Sequence, residues 1–335
     1  MTISASTIST ADHAEHSIQF FCETFHAIKT EIGKMIVGQE AVVEGVLTAL
    51  CAGGHVLLEG VPGLGKTMLV SAISRSVDLP FSRIQFTPDM MPADIQGASV
   101  LLENENGGHE LTFQPGPIVS NLVLADEINR ATPKTQSALL EVMQEKQVTV
   151  GKRTVKLDEP FCVMATQNPV DQEGTYPLPE AQLDRFLFKL EVGYPSEQDY
   201  HTIIDRTTSG LNIELKPVSN REELIRMRTI VRDVSVSEAA KAFAIKLVMG
   251  TQPNSQYASP SVNEFVSLGA SPRGIQSLML AAKVVALLDN RFDVMEQDIR
   301  KIAIPVLRHR MVLNFKAQAT GQSADSLIKS LLSGF

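Results

Sequence analysis

Five short apolar runs punctuate the middle of the chain: His55–Glu59, Arg83–Phe86, Leu122–Ala125, Phe161–Ala165 and Phe186–Val192. Segments of helical spacing separate them. Apolar runs of this length between helices predict a buried parallel sheet with helices on both faces, an α/β architecture of three layers. A helical segment is expected before the sheet, around residues 15–36. Residues 1–14 are Ser/Thr-rich, lack apolar periodicity and are expected to be mobile.

From about residue 197 the strand signals fade. Ser235-Val236-Ser237-Glu238 predicts a capping box opening a helix that ends near Met249. Ser271-Pro272 predicts another helix start, because proline has no N–H to leave unpaired in a first turn. Ile275, Leu278, Met279, Ala282, Val285 and Ala286 then recur at three- and four-residue spacing and give that helix one apolar face. The expected organisation is a mobile N-terminus (1–14), an α/β core (15–195) and an all-helical domain (196–335), divided near Gly193-Tyr194-Pro195. No internal repeat is visible.

Composition narrows the classes. The 335 residues are 44% hydrophobic, enough for a large core. The net charge of −8 lacks the basic footprint of a dedicated nucleic-acid binder, although a locally basic pore remains compatible with it. Cys22, Cys51 and Cys162 are scattered and odd in number, with no metal-ligand spacing, which suits a reduced, cytoplasmic setting. The N-terminus shows no signal-peptide pattern, and no run of about 18 apolar residues suggests a membrane span.

Gly60-Val61-Pro62-Gly63-Leu64-Gly65-Lys66-Thr67 matches GxxxxGK[ST], with an apolar run before it and an apparent helix, Met68–Ser76, after it. Glycines let such a loop curl its N–H groups toward phosphate oxygens, and the helix start adds a positive dipole end. Nucleotide contacts are expected all along this loop and into Met68. Lys66 should reach the β- and γ-phosphates, and the Thr67 hydroxyl should bind Mg²⁺. Sixty residues on, Asn121–Ala125 leads into Asp126-Glu127. Asp126 can enter the Mg²⁺ shell through water, and Glu127 can orient and deprotonate an attacking water. The competing reading, two acids capping the helix near Thr132-Pro133, loses weight beside a phosphate loop.

Three further polar residues are less specific. Asn168 ends an apolar run, where a parallel sheet presents ligands; it would hold the attacking water or be a turn residue before Pro169. Arg185 precedes the last apolar run and reads equally as a structural, salt-bridged residue. Arg273 sits in the first turn after Ser271-Pro272, where its charge opposes the helix dipole and hints at function.

Together these residues resemble the AAA+ ATPases, and specifically the MoxR family. The resemblance runs from Ile36-Val37-Gly38-Gln39 to Arg308-His309-Arg310. Its most specific stretches are Phe86–Asp89, Ala125–Ala131, Lys134–Glu141, Ala165–Pro169 and Tyr176–Phe186. It implies a P-loop AAA+ αβα core followed by a small all-helical lid. It implies that Asp126 and Glu127 form the Walker B pair and that Asn168 is sensor 1. Arg185 becomes an arginine finger for the neighbouring subunit's ATP, Arg273 becomes sensor 2, and Val37-Gly38 lines the adenine pocket. Residues about 94–120 match the family's insertion within helix 2, and Gln147–Leu157 reads as a hairpin preceding sensor 1. Where the family often continues Ser-Pro-Arg with Ala, this chain has Gly274, at a helix-stability cost of about 1 kcal/mol at most.

The resemblance also implies ATP and Mg²⁺ as ligands, a ring oligomer, expected to be a hexamer, and chaperone-like remodelling of a client with a von Willebrand factor A domain partner. Two other classes compete. A nucleic-acid motor or magnesium chelatase-like subunit would share the insertion and hairpin, but the negative charge, four Tyr and no Trp offer little surface for nucleic acid. A nucleotide-gated scaffold with negligible turnover would have no need of Glu127, Asn168 and Arg185 together.

Overall fold

The computed structural model describes residues 10–61, 63–103, 109–151, 153–168, 175–209 and 213–335. Pro62, Lys152, Pro169 and residues 1–9 of the expected N-terminal segment lie outside them. Helix α1 spans Thr10–Gly33, so it begins five residues before the start expected from periodicity, inside the stretch expected to be mobile. Its buried Phe21, Phe25, Ile28 and Ile32 follow three- and four-residue spacing, which gives the segment a face to bury.

The core then runs α2 (Glu40–Ala52), β1 (Val56–Glu59), α3 (Lys66–Ser76), β2 (Phe81–Gln85), α4 (Pro92–Gln96), β3 (Gly97–Glu103) and β4 (His109–Pro115). It continues through β5 (Leu122–Asp126), α5 (Pro133–Glu145), β6 (Gln147–Val150), β7 (Arg153–Lys156), β8 (Cys162–Gln167), α6 (Glu180–Leu183), β9 (Phe188–Glu191) and α7 (Glu197–Thr208). Each of the five apolar runs forms a strand of one sheet, ordered β2-β5-β8-β1-β9 and parallel throughout. Two antiparallel hairpins project from this frame: β3–β4 within the expected insertion, and β6–β7 within Gln147–Leu157.

Alternation along the strands divides the core. Val56, Leu58, Leu122, Leu124 and Met164 face one apolar cluster, whereas Leu57, Val123, Ala125, Val163 and Ala165 face another against Leu139 and Leu140 of α5. Both faces are dry, as a parallel sheet requires. Truncating Leu57 or Leu124 to Ala should cost about 2–5 kcal/mol.

The C-terminal part contains α8 (Arg221–Asp233), β10 (Ser235–Val236), α9 (Glu238–Gly250), α10 (Pro260–Phe265), β11 (Val266–Leu268) and α11 (Pro272–Leu288). It closes with β12 (Asp293–Val294), α12 (Glu296–Leu307), β13 (Val312–Leu313), α13 (Phe315–Ala319) and α14 (Ala324–Gly334). The lid is therefore helical but not purely so: β10 pairs with β12, and β11 with β13. The cap of α9 also differs from expectation. Ser237 accepts from the Ala240 N–H, while Ser235 belongs to β10 and donates to Phe292 O. Ser271 caps α11 with Pro272 in its first turn, as the sequence predicts. The cluster on one sheet face continues without a break through α2 to Leu278 and Ala282 of α11 and Ile299 of α12.

Candidate active site

Three polar turns leave the carboxyl ends of neighbouring strands: the phosphate loop after β1, Asp126-Glu127 at the end of β5, and Asn168 after β8. Parallel packing brings them together, because every strand in the sheet ends on the same side. They line one cavity of about 410 Å³ with Gly63, Gly65, Lys66, Thr67, Met68, Arg83, Gln85 and Thr166.

Gly63 and Gly65 adopt φ of +87° and +75°, conformations that side chains with a Cβ rarely accept. A Cβ at either glycine would meet nothing within 4 Å, so the loop leaves open space where it lines the cavity. Gly65 precedes α3 without a side-chain cap, which leaves the first N–H groups of the helix for a ligand. The Lys66 ammonium donates to Gly60 O at 2.6 Å and Val61 O at 3.2 Å. Burial lowers its pKa, while Asp126, Glu127 and Glu59 push it back up. The loop thus cradles its own cation in the position where an anion would take it over.

Both carboxylates are held. Asp126 accepts from Arg83 Nη2 at 2.6 Å on one oxygen and from the Thr166 hydroxyl at 2.6 Å on the other. The same hydroxyl accepts from the Glu127 N–H at 2.8 Å. Glu127 adopts φ +57°, an uncommon conformation for a residue with a side chain. Its carboxylate accepts from Gln85 at 3.0 Å and from Arg130 at 2.9 Å. Asn129 ties this turn to the next by donating to Asn168 O at 3.2 Å. Among the described residues no group of three or more His, Cys, Asp or Glu could enclose a metal. Thr67, Asp126, Glu127 and Thr166 all bring side-chain oxygens to this cavity.

A second cavity of about 270 Å³ shares Gly63, Gly65, Lys66 and Met68 with the first and adds Leu64. Its walls are Met35, Ile36 and Val37 on one side and Tyr200, Ile203, Arg206 and Thr207 of α7 on another. This apolar slot adjoining a phosphate cradle has the chemistry of a base pocket. Gly38 stands at φ +71°, and a Cβ there would approach Asp199 Oδ2 to 2.4 Å.

Arg185 and Arg273 lie elsewhere. They line a third cavity with Gly53, Gly54, His55 and Leu187, at the amino ends of β1 and β9. The phosphate loop leaves the carboxyl end of β1, so the strand's four residues, about 13 Å of rise, separate the two sites. Neither arginine lines the two cavities beside the Gly60–Thr67 loop of its own chain. Arg185 Nη1 donates to Leu140 O at 2.6 Å, and Arg273 stands 3.8 Å from Asp184.

Arg83, Gln85, Thr166 and the α7 wall were not read as site residues from sequence. Arg83 and Gln85 lie on β2, with β5 and β8 between it and β1, so only the sheet order reveals them. Thr166 carried a faint signal as the polar residue before Gln167-Asn168 at a strand's carboxyl end.

Comparison with known proteins identifies the family and the fold. Residues 55–188 match the model of the ATPase family associated with various cellular activities (AAA), and residues 260–331 match the AAA lid domain. The chain is 46% identical over 303 residues to YeaC of Bacillus subtilis, covering 90% of this chain and 91% of that one. It is 45% identical over 303 residues to Chaperone MoxR1 of Mycobacterium tuberculosis, covering 90% and 79%. Protein MoxR of Methylorubrum extorquens is 31% identical over 301 residues, covering 84% and 86%. The crystal structure of a Cytophaga hutchinsonii protein superposes with a TM-score of 0.89 at 39% identity, covering 96% of this chain and 97% of that one.

Proposed function

Since the chain belongs to the MoxR family of AAA ATPases, we propose that it hydrolyses ATP to ADP and phosphate in a ring whose sites are completed across subunit boundaries. Lys66 draws the β- and γ-phosphates into the cradle, and the slot beside Val37 takes the base. Thr67 and Asp126 would hold Mg²⁺, which when bound supplies positive charge to the same phosphates. Glu127 takes a proton from the attacking water, and Asn168 orients that water. Gln85 and Arg130 set the direction in which the Glu127 carboxylate points.

The observation that carries the ring is the separation of Arg185 and Arg273 from their own phosphate loop by the length of β1. An arginine there can serve only a phosphate brought by another molecule. Arg273 stands beside Arg185, so the pair enters the neighbour's site together. AAA proteins commonly form oligomers, and a hexamer is the closed ring we expect. The name of the Mycobacterium relative, Chaperone MoxR1, supports chaperone-like remodelling of a client protein. A von Willebrand factor A domain protein is the partner we expect from the family resemblance alone. The three free thiols suit a reducing cytoplasm. No helix among the described residues is long and apolar enough to cross a membrane.

The test is ATP turnover per subunit against protein concentration, with and without DNA, alongside sedimentation with ATP. Turnover should rise as rings assemble and ignore DNA. Full turnover by a strictly monomeric species would overturn the proposal.

A further inference from the structure

The residue before Arg185 is the centre of a buried joint. The Asp184 carboxylate accepts from Arg310 Nε at 2.8 Å and from the Ser271 hydroxyl at 2.8 Å. Arg310 follows α12 in the lid, and its side chain is 1% exposed. Its guanidinium also donates to Asp184 O at 3.2 Å, Phe186 O at 2.7 Å and Leu187 O at 3.3 Å. One lid side chain therefore grips the main chain on both sides of Arg185. Ser277 of α11 orients that guanidinium from 2.9 Å. Among the described residues, by contrast, the buried Nε of Arg185 finds no partner and the side chain is tied through Nη1 to Leu140 O.

An arginine that must enter a neighbour's site needs a fixed origin, and a guanidinium bonded to several carbonyls supplies one. We propose that Arg310 is a positioning residue for Arg185, fastening the loop that carries it to the lid so that lid and arginine move as one body. The proposal rests on the reading that Arg185 acts on the neighbour's ATP. A lysine at 310 keeps the charge beside Asp184 but cannot span the carbonyls on either side of Arg185.

Arg310→Lys should bind ATP with near-normal affinity yet turn it over about 100-fold more slowly, the scale of a 1 Å misplacement. The deciding readout is mixing. Arg310→Lys subunits keep their own Glu127, so mixing them with Glu127→Gln subunits should restore activity above either alone. Mixing them with Arg185→Ala should restore nothing, because both defects lie on the same side of the interface. A thermal melt and a sizing run establish that the variant folds and assembles. If Arg310→Lys does not fold, the double variant Asp184→Asn/Arg310→Met removes both buried charges and should give the same mixing pattern. Normal turnover by Arg310→Lys would overturn the proposal. So would a failure of its mixture with Glu127→Gln when Arg185→Ala with Glu127→Gln does recover, since the defect then lies in its own site. If neither mixture recovers although mixed oligomers form, the reading of Arg185 falls, and this proposal with it.

Discussion

The phosphate cradle and the Arg185 edge sit at opposite ends of β1, and their construction differs as much as their position. The cradle comes from one contiguous stretch, Gly60–Thr67, plus strand-end polar residues. Its charged groups make contacts a ligand can replace: Lys66 rests on its own loop carbonyls, and Asp126 is paired with the half-exposed Arg83. The Arg185 edge draws on Leu140, Asp184, Ser271 and Arg310, distant in sequence and locked around a buried ion pair. On the proposed function, one end would reorganise when nucleotide binds, and the other would hold its shape while the nucleotide changes.

Several substitutions would break or sharpen that contrast. The largest effect is expected at the edge: Arg185→Ala should lower turnover about 10³–10⁵-fold, with ATP affinity nearly unchanged in calorimetry. Loss of affinity instead would put Arg185 in its own site and erase the distinction between the two ends. In the cradle, Glu127→Gln should slow turnover about 10²–10⁴-fold while ATP stays bound, because the amide keeps the shape and loses the base. Wild-type turnover in single-turnover measurements would remove Glu127 from the chemistry. Lys66→Ala should reduce binding itself, and near-normal ATP affinity would overturn the cradle assignment.

A smaller effect separates the two ends by pH. His55, buried at the amino end of β1, has Nε2 3.1 Å from Met143 O and accepts at Nδ1 from the Val163 N–H at 3.0 Å. Burial lowers its pKa to about 4. The neutral ring is favoured in the folded protein, so its contribution is complete above the unfolded value near 6.5 and fades as pH falls toward about 4. That contribution is roughly 3 kcal/mol. Denaturant unfolding should show this loss across that window, and His55→Gln, which can mimic both bonds, should flatten it. An unchanged slope would mean that His55 titrates normally. The smallest effect is expected at Gly38→Ala, about 1–2 kcal/mol from strain at positive φ together with displacement of the Asp199 carboxylate that a Cβ would meet at 2.4 Å. It should weaken nucleotide binding more than turnover, and an equal fall in both would detach this turn from the base pocket.

Legibility followed the same division. The sheet was readable because its central strands β5, β8 and β1 are largely apolar runs, and the cradle because its chemistry needs neighbouring residues. The lid was less so. Its two-residue strands β10–β13 are too short to carry a period, and Ser235 and Ser237 compete for the same cap in sequence. Tyr200 and Arg206 gave no signal, since α7 becomes a pocket wall only when it folds against the 35–39 segment.

The sequence alone determined the phosphate loop, the two acids at the end of β5 and the parallel sheet, since each follows from local pattern and spacing. Tertiary structure alone decided that Arg83 and Gln85 restrain those acids, that Arg185 and Arg273 share the end of the sheet away from the Gly60–Thr67 loop, and that Arg310 grips the main chain on both sides of Arg185. The reason is distance along the chain. A backbone cradle is made by residues that are already neighbours. An ion pair across 126 positions exists only after the core has packed.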